Sequence, residues 1–237
     1  MKSSRFGVVS LLATVLLAGC GQTATSDASQ PPAQAQATKL DFRGLHRVFD
    51  QPRLSDGHPL TLFVGGQFCP FCASMRRPLV KALSRFGTFS GLGQMQSQNG
   101  TDGFSSIATY DFTHATYTSD LLTAHLVEVA DANGNPLQQP TADDMDLFNR
   151  FDPNGSIPFV FIAGTYVAQL PYSPQLLVGQ TFQQIRDQAN AANPGDVGTA
   201  IDKEADAITA AICKVDGGQP GNICQTPAMQ ALVDRMP

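Results

Sequence analysis

The chain has 237 residues, of which 42% are hydrophobic, and its 15 Lys and Arg against 20 Asp and Glu give a formal net charge of −5. The basic residues do not cluster, and an acidic body is repelled by phosphate backbones, which argues against nucleic-acid binding. This length and apolar content can bury one sizeable core, so one domain is favoured over two.

The first twenty residues have the pattern of a bacterial lipoprotein signal peptide. Lys2 and Arg5 make a positive start, an apolar run extends from Phe6 to Ala18, and residues 17–20 read as a lipobox. The apolar run is shorter than the ~20 residues that a membrane-spanning helix needs. We therefore expect residues 1–19 to be removed and Cys20 to be lipidated, so that the protein is anchored on the periplasmic or cell-surface side of a membrane. An ordinary secretory signal is the alternative.

The residues after Cys20 divide into a tether and a folded domain. Residues 20–38 are dominated by Ala, Gln, Ser, Thr and Pro and have no hydrophobic face to bury, which predicts a flexible tether. Residues 39–237 are predicted to form the domain. Its first part, residues 39–59, has mixed signals: Phe42, Leu45, Val48 and Phe49 have helical spacing, and Asp56-Gly57 marks a turn. We expect a lead-in element that packs on the edge of the domain.

Two cysteines lie where a predicted strand passes into a predicted helix. Leu60 to Val64 is a short buried-strand signal, Gly65-Gly66 breaks it, and a helical pattern begins at Cys72. Cys69 therefore lies at or just before the start of the helix, where unpaired N–H groups and the helix dipole stabilise a thiolate. We expect a lowered pKa for Cys69, which would make it the attacking sulfur, with Cys72 one turn deeper as the resolving partner.

Other roles for a Cys-x-x-C pair have to be considered. Attachment of c-type haem needs His after the second cysteine, and this chain has Ala73. Half of a zinc site stays open, with further ligands available from Cys213, Cys224 and the four histidines. An inert disulfide also stays open. The histidines are His46, His58, His114 and His125.

The Cys-Pro-Phe-Cys motif between strand and helix, with Ile157-Pro158 before a later strand, resembles the thioredoxin superfamily. More narrowly, the run FVGGQFCPFCASMRRPLVKALSRFGTFSGL resembles an extracytoplasmic thioredoxin-like family called domain of unknown function 929, over about Leu60 to Cys224. The resemblance implies a thioredoxin-like α/β fold, in which a central mixed sheet is flanked by helices. It also implies a cis bond before Pro158, against the cysteine pair, and substrate contacts from Pro70, Phe71, Ile157 and Pro158.

The remaining elements follow from periodicity and turn signals. Residues 88–105 are predicted to be a long inserted loop near the active-site end, because they are rich in Gly, Gln, Ser and Asn. Ile107–Phe112 is predicted as a second core strand. Further strands are predicted at Ala124–Ala130, Phe159–Ala163 and Tyr166–Leu170, the last two as a hairpin. Helices are predicted at Thr141–Phe151, Gln180–Ala192 and Thr199–Ala211.

The C-terminal cysteines fall into a second local pair. Assigning Cys20 to lipid leaves four cysteines, and Cys213 and Cys224 enclose a Gly- and Pro-containing loop. In an oxidising compartment a structural disulfide that staples a C-terminal helical extension is the simplest reading. A second redox relay is the alternative.

Proton transfer at the predicted site has no assigned residue. Many thioredoxins carry a buried acid near the end of the strand before the cysteines, and Leu60–Val64 contains none. Glu128, in the middle of a later strand, could reach the site from elsewhere in the fold. Arg76 and Arg77 lie off the apolar face of the helix, so we expect them to be solvated, although they could lower the pKa of the thiols.

These observations predict a lipid-anchored thiol-disulfide oxidoreductase that needs no metal or organic cofactor. Its partners would be proteins bearing thiols or disulfides, together with a membrane redox protein that resets the pair. A non-catalytic thioredoxin-like module that binds a metal or a partner protein through Cys69 and Cys72 is the main alternative. The third hypothesis is a structural lipoprotein with an inert disulfide.

Overall fold

The computed structural model describes residues 44–168 and 172–237. The predicted signal peptide, Cys20 and the tether lie outside these residues, as does Leu170 at the end of a predicted strand. Among the described residues, no helix has both the length and the apolar character needed to cross a membrane.

Sixteen strands and α-helices occur along the described chain. The strands are β1 (Leu45–Arg47), β2 (Leu54–Ser55), β3 (His58–Gly66), β4 (Thr88–Ser90), β5 (Gly93–Gln96), β6 (Ala108–Asp111), β7 (Thr116–Thr118), β8 (Thr123–Ala130), β9 (Phe159–Ile162) and β10 (Tyr166–Ala168). The α-helices are α1 (Pro70–Leu83), α2 (Ala142–Phe151), α3 (Phe182–Asn190), α4 (Asp196–Val215), α5 (Gly221–Cys224) and α6 (Pro227–Val233).

A six-stranded mixed sheet forms the centre of the domain. Its middle strand, β3, is parallel to β8 and antiparallel to β9, while β10 and β1 extend the sheet beyond β9. The short β2 forms a hairpin with the start of β3. The predicted central mixed sheet flanked by helices is therefore confirmed, and its strand order is compatible with a thioredoxin-like arrangement.

Helices cover both faces of this sheet, which explains why β3 is an almost continuous apolar run. Phe63 points into a core shared with α1 and α4, whereas Leu62 and Val64 pack with Leu147 and Phe148 of α2. Alternate side chains of a strand point to opposite faces, so neighbouring residues of β3 belong to two different cores.

Three predictions about the early and inserted segments are wrong in whole or in part. Leu45–Arg47 lies at the edge of the sheet, as expected of the lead-in element, but it is a strand paired with β10 and not a helix. Residues 88–105 contain β4 and β5 rather than a continuous loop. Ile107–Phe112 does contain a strand, β6, but it pairs only with β5 and lies outside the central sheet. The pairing partners of these short strands are distant in sequence, and local patterns do not specify them.

The other predicted elements are confirmed with small shifts of their bounds. They are the strand before the cysteines, the helix after them, the strand holding Glu128, the β9–β10 hairpin and helices α2, α3 and α4. Thr141 caps α2 through a capping box with Asp144.

A disulfide between Cys213 and Cys224 closes the C-terminal extension, as the sequence predicts. The two Cα atoms are 5.4 Å apart, and both cysteines are buried. The bond joins the end of α4 to α5, and α4 in turn packs along α1 and α6. The extension is thus part of the core on the α1 side of the sheet rather than an appended tail.

Candidate redox site

Cys69 occupies the N-cap position of α1, and its sulfur accepts the backbone N–H of Cys72 at 3.3 Å. Pro70 takes the first helical position, where a missing N–H costs nothing. Both cysteines are free thiols, with Cys72 completely buried and Cys69 only 3% exposed. The sequence-predicted placement of the pair at the start of the helix is therefore the observed one.

The two thiols differ in acidity. The pKa of Cys69 is lowered, chiefly because the Cys72 thiol donates a hydrogen bond to its sulfur and also because backbone N–H groups at the helix start do so. Burial raises the pKa of Cys72 well above its ordinary value, and its hydrogen bond to Cys69 adds to that rise. Within the pair, Cys69 is the residue that ionises first, and the thiolate is the nucleophile.

Two glycines at the end of β3 make room for the site. A Cβ atom on Gly65 would lie 2.4 Å from the Cζ atom of Phe63 and 3.3 Å from the sulfur of Cys72. A Cβ atom on Gly66 would lie 2.7 Å from the ring of Phe68. The Gly65-Gly66 pair, which the sequence shows only as a strand break, therefore permits the cysteine loop to close onto the sheet.

Arg76 and Glu128 form a buried ion pair one helical turn after Cys72. The guanidinium donates two hydrogen bonds of 2.7 Å to the two carboxylate oxygens, and both side chains are fully inaccessible. A third bond, of 2.9 Å, runs from Arg76 to the carbonyl oxygen of Gly66, which also accepts the N–H of Cys69. The prediction that Arg76 is solvated is wrong, because this helix is covered on more than one side.

The charge of Arg76 acts on both thiols and lowers their pKa values, although other contacts have larger effects. The guanidinium lies over the rings of Phe63 and Phe112, at 5.6 and 6.0 Å from their centroids. A sequence signal for this pair existed: a lone acid in a strand of apolar residues, as Glu128 is, requires a buried partner.

Arg77 is also buried, contrary to the prediction, but it belongs to a different cluster. Its guanidinium lies 4.1 Å from the ring centroid of Phe182 and 5.1 Å from that of Tyr110, and it donates a 2.8 Å bond to the carbonyl of Ala108. Burial lowers its pKa to about 10. Its role is to join α1 to the inserted strands and to α3.

Ile157 and Pro158 lie beside the cysteines, as the resemblance implies. The Ile157–Pro158 peptide bond is cis, and the carbonyl oxygen of Ile157 lies 3.8 Å from the sulfur of Cys69. A groove of about 440 Å³ runs past these two residues, with Phe151 and Ser156 on its walls. Pro70 and Pro158 are buried, and Ile157 is partly exposed.

The inserted segment reaches the end of the sheet that carries the cysteines. The backbone N–H of Gln98 donates to the carbonyl of Phe68 at 3.1 Å. The ring of Phe104 meets that of Phe71 edge to face, with centroids 5.5 Å apart. Phe71, between the two cysteines, is therefore fixed by the insertion and only partly exposed.

The histidines that could complete a zinc site do not gather around the cysteines. In residues 44–168 and 172–237, no three His, Cys, Asp or Glu side chains are close enough together to hold one metal ion. A metal bound by Cys69 and Cys72 would take further ligands from outside this part of the chain.

Residues 45–147 match the model of a family described as "Domain of unknown function (DUF929)". The resemblance read from the sequence is confirmed over this segment, which contains Cys69, Cys72, Arg76 and Glu128. Pro158 and the C-terminal disulfide lie beyond it. No curated protein and no solved structure matches the chain.

Proposed function

We propose that the protein is a thiol-disulfide oxidoreductase that exchanges disulfides with protein substrates through Cys69 and Cys72. The observation that carries the proposal is the asymmetry of the pair. Cys69 has a lowered pKa and caps a helix, whereas Cys72 is fully buried with a raised pKa. An inert structural pair has no need of such a difference, but a nucleophile and its resolving partner do.

The reaction needs only these two thiols and the substrate. In the reducing direction the Cys69 thiolate attacks one sulfur of a substrate disulfide, a mixed disulfide forms, and the other substrate sulfur leaves as a thiolate. Cys72 then loses its proton and attacks the Cys69 sulfur. This step releases the second substrate thiolate and leaves a Cys69–Cys72 disulfide. The substrate gains two electrons, the pair loses two, and the oxidising direction is the reverse.

The proposed substrate surface is the groove beside Ile157 and Pro158. Proline has no N–H to donate, and an extended substrate segment can lie against this end of the sheet while its sulfur approaches Cys69. The proposed setting is extracytoplasmic, with the protein held to a membrane through lipid on Cys20. A membrane redox protein that resets the pair completes the proposed cycle.

A redox titration of the soluble domain, from Lys39 onward, tests the proposal. The domain is equilibrated in glutathione buffers, and the Cys69–Cys72 peptide is read by alkylation and mass spectrometry. A reversible two-electron midpoint is expected. A value of about −120 to −180 mV would assign the protein to disulfide donation or isomerisation, and about −270 mV to reduction.

The Cys72→Ser variant provides the second arm of this test. It should trap mixed disulfides between Cys69 and substrate proteins, because the resolving thiol is gone. The Cys69→Ser variant is the matched control and should trap none. If the pair fails to titrate reversibly and stoichiometric zinc accompanies the reduced domain, the protein is a binding module and the proposal is wrong.

A further inference from the structure

A second cluster of reactive side chains lies on the α2 side of the sheet, away from the cysteines. Ser55 of β2, His125 of β8 and Asp144 of α2 come from three separate elements and line one cavity of about 560 Å³. The cysteine chemistry does not use any of them. Along β8, side chains alternate between faces, so His125 points to the opposite side of the sheet from Glu128.

The three side chains form a continuous chain of hydrogen bonds. The Nδ1 atom of His125 lies 2.9 and 3.0 Å from the two carboxylate oxygens of Asp144. Its Nε2 atom lies 3.3 Å from the hydroxyl oxygen of Ser55. This is the order of contacts that activates a serine nucleophile, and the looser serine contact is usual before a substrate binds.

The carboxylate determines which ring nitrogen of His125 carries the proton. The pKa of Asp144 is lowered despite its burial, by hydrogen bonds from His125 and Thr141, so it is an acceptor. Nδ1 is therefore the donor, and in the neutral ring Nε2 is left as an acceptor facing Ser55. Asp144 is 1% exposed and is itself held by the backbone N–H of Thr141. The imidazole is thus fixed in the tautomer of a general base.

We propose that Ser55, His125 and Asp144 form a second catalytic site, which hydrolyses uncharged carboxylic esters through an acyl-serine intermediate.

Both half-reactions balance with water as the only co-reactant. Ser55 attacks the ester carbonyl carbon while His125 takes the hydroxyl proton, and the alcohol leaves with that proton. Water then attacks the acyl-serine, His125 takes a proton from the water and returns it to the Ser55 oxygen, and a carboxylic acid is released. Asp144 stays ionised throughout and stabilises the imidazolium.

The cavity walls indicate the class of ester. Leu54 is 57% exposed beside Ser55, and Leu60 and Leu147 also line the cavity, so an apolar acyl group has a surface to contact. Asp56 and Asp143 are exposed on the same walls and outnumber Arg53, the single arginine of this lining, so the walls as a whole disfavour an anionic substrate. Carboxylate product would be repelled too, which favours its release.

The proposal takes its donors for the developing oxyanion from the start of α2. Ala142 and Asp143 belong to the first turn and line the cavity, and first-turn N–H groups have no partner within their own helix. Strand β2 is also anchored, because Thr123 donates a 2.8 Å bond to the backbone carbonyl of Ser55. The proposed nucleophile is therefore attached to the same strand that carries His125.

A fluorophosphonate, which reacts with activated serines, tests the site on the full chain. We expect phosphonylation of Ser55, located by mass spectrometry, and loss of that labelling when the chain is unfolded in urea. The Asp144→Asn variant should slow labelling at least about 100-fold, because an amide favours the wrong histidine tautomer. Ser90→Ala, which removes an exposed serine of β4, should label like the wild type.

Hydrolysis of p-nitrophenyl butyrate provides a second measurement. It is made in a chain carrying Cys69→Ala and Cys72→Ala, because thiols also attack activated esters. Adding Ser55→Ala should lower kcat/KM at least about 100-fold. Circular dichroism confirms that each variant is folded. Native wild-type protein that leaves Ser55 unlabelled, or labels it no faster than the urea-unfolded chain, overturns the proposal without reference to any variant.

Discussion

Arg76 and Glu128 form a fully buried ion pair that connects the helix after the cysteines to the strand parallel to β3. Two bonds of 2.7 Å join them, and the same guanidinium binds the backbone of Gly66 beside the cysteine loop. Burying two charges is costly, and the pair is stable only because the geometry is bidentate and both partners are present.

Removing one charge of this pair should be strongly destabilising. Glu128→Gln leaves the Arg76 guanidinium buried without a counter-charge, and we expect the free energy of unfolding to fall by about 3–5 kcal/mol. Urea unfolding of the reduced domain measures the change. The matched control is the double variant Arg76→Met with Glu128→Leu, which removes both charges and should be closer to wild type. A single variant that unfolds like the wild type would contradict the prediction.

The two cysteines should differ in their reactivity with iodoacetamide. Because the pKa of Cys69 is lowered, a larger fraction of Cys69 is thiolate at neutral pH than of an ordinary cysteine. Because the pKa of Cys72 is raised, a smaller fraction of Cys72 is thiolate. We expect the Cys72→Ser variant, in which the serine hydroxyl can still donate to the Cys69 sulfur, to be alkylated rapidly at pH 7 and the Cys69→Ser variant to be nearly inert. Rates measured from pH 5 to pH 10 give the apparent pKa of each remaining thiol. Equal rates in the two variants would refute the assignment.

Gly65 should not tolerate a side chain. A methyl group there would overlap the buried ring of Phe63 and press on the Cys72 sulfur, so Gly65→Ala should cost about 1–3 kcal/mol of stability. The alkylation rate of Cys69 should change as well, because the cysteine loop must move. Gly44→Ala is the control, since among the described residues no atom other than those of its chain neighbours lies within 4 Å of the added carbon. Comparable stability of the two variants would show that the strand end is not tightly packed.

The C-terminal disulfide should contribute stability without redox function. It closes a loop with a sequence separation of 11 residues, and for a loop of this length the chain-entropy relation gives a stabilisation of about 3 kcal/mol. Replacing Cys213 and Cys224 by Ala should lower the free energy of unfolding by about that amount and leave the Cys69–Cys72 midpoint unchanged. If the two pairs instead titrate together and the midpoint moves, the C-terminal pair is a redox relay.

The His125–Asp144 pair predicts a defined pH dependence of stability. The hydrogen bond to Asp144 raises the pKa of His125. The stability that protonated His125 contributes is therefore complete below about pH 6.5, and it is lost as the pH rises through the pKa of His125 in the folded protein. The pKa of Asp144 is lowered. The stability that ionised Asp144 contributes is therefore complete above about pH 4, and it is lost as the pH falls through the pKa of Asp144 in the folded protein.

The stability difference between wild type and Asp144→Asn should therefore be largest near pH 5 and decline on either side. Thermal unfolding measured from pH 3 to pH 9 tests this. When His125→Gln is present in both proteins that are compared, the decline on the alkaline side should disappear. A difference that stays constant over this range would show that the pair is not ionised in the folded protein.

Much of the candidate redox site could be predicted from the sequence because its signals are local. Cys69, Pro70 and Cys72 lie within four residues of one another, and helix capping depends on the residues at that one helix end. The cap on α2 and the C-terminal disulfide were predictable for the same reason: each joins residues that are close in the chain.

The tertiary structure alone decided the rest, because those contacts join distant parts of the chain. Arg76 is 52 residues from Glu128, and only the parallel pairing of β3 with β8 puts the acid beside α1. Ser55 and His125 are 70 residues apart, and in the sequence each is an ordinary polar residue. Local periodicity determines which backbone forms where, but the packing of both sheet faces determines which charged and nucleophilic side chains meet.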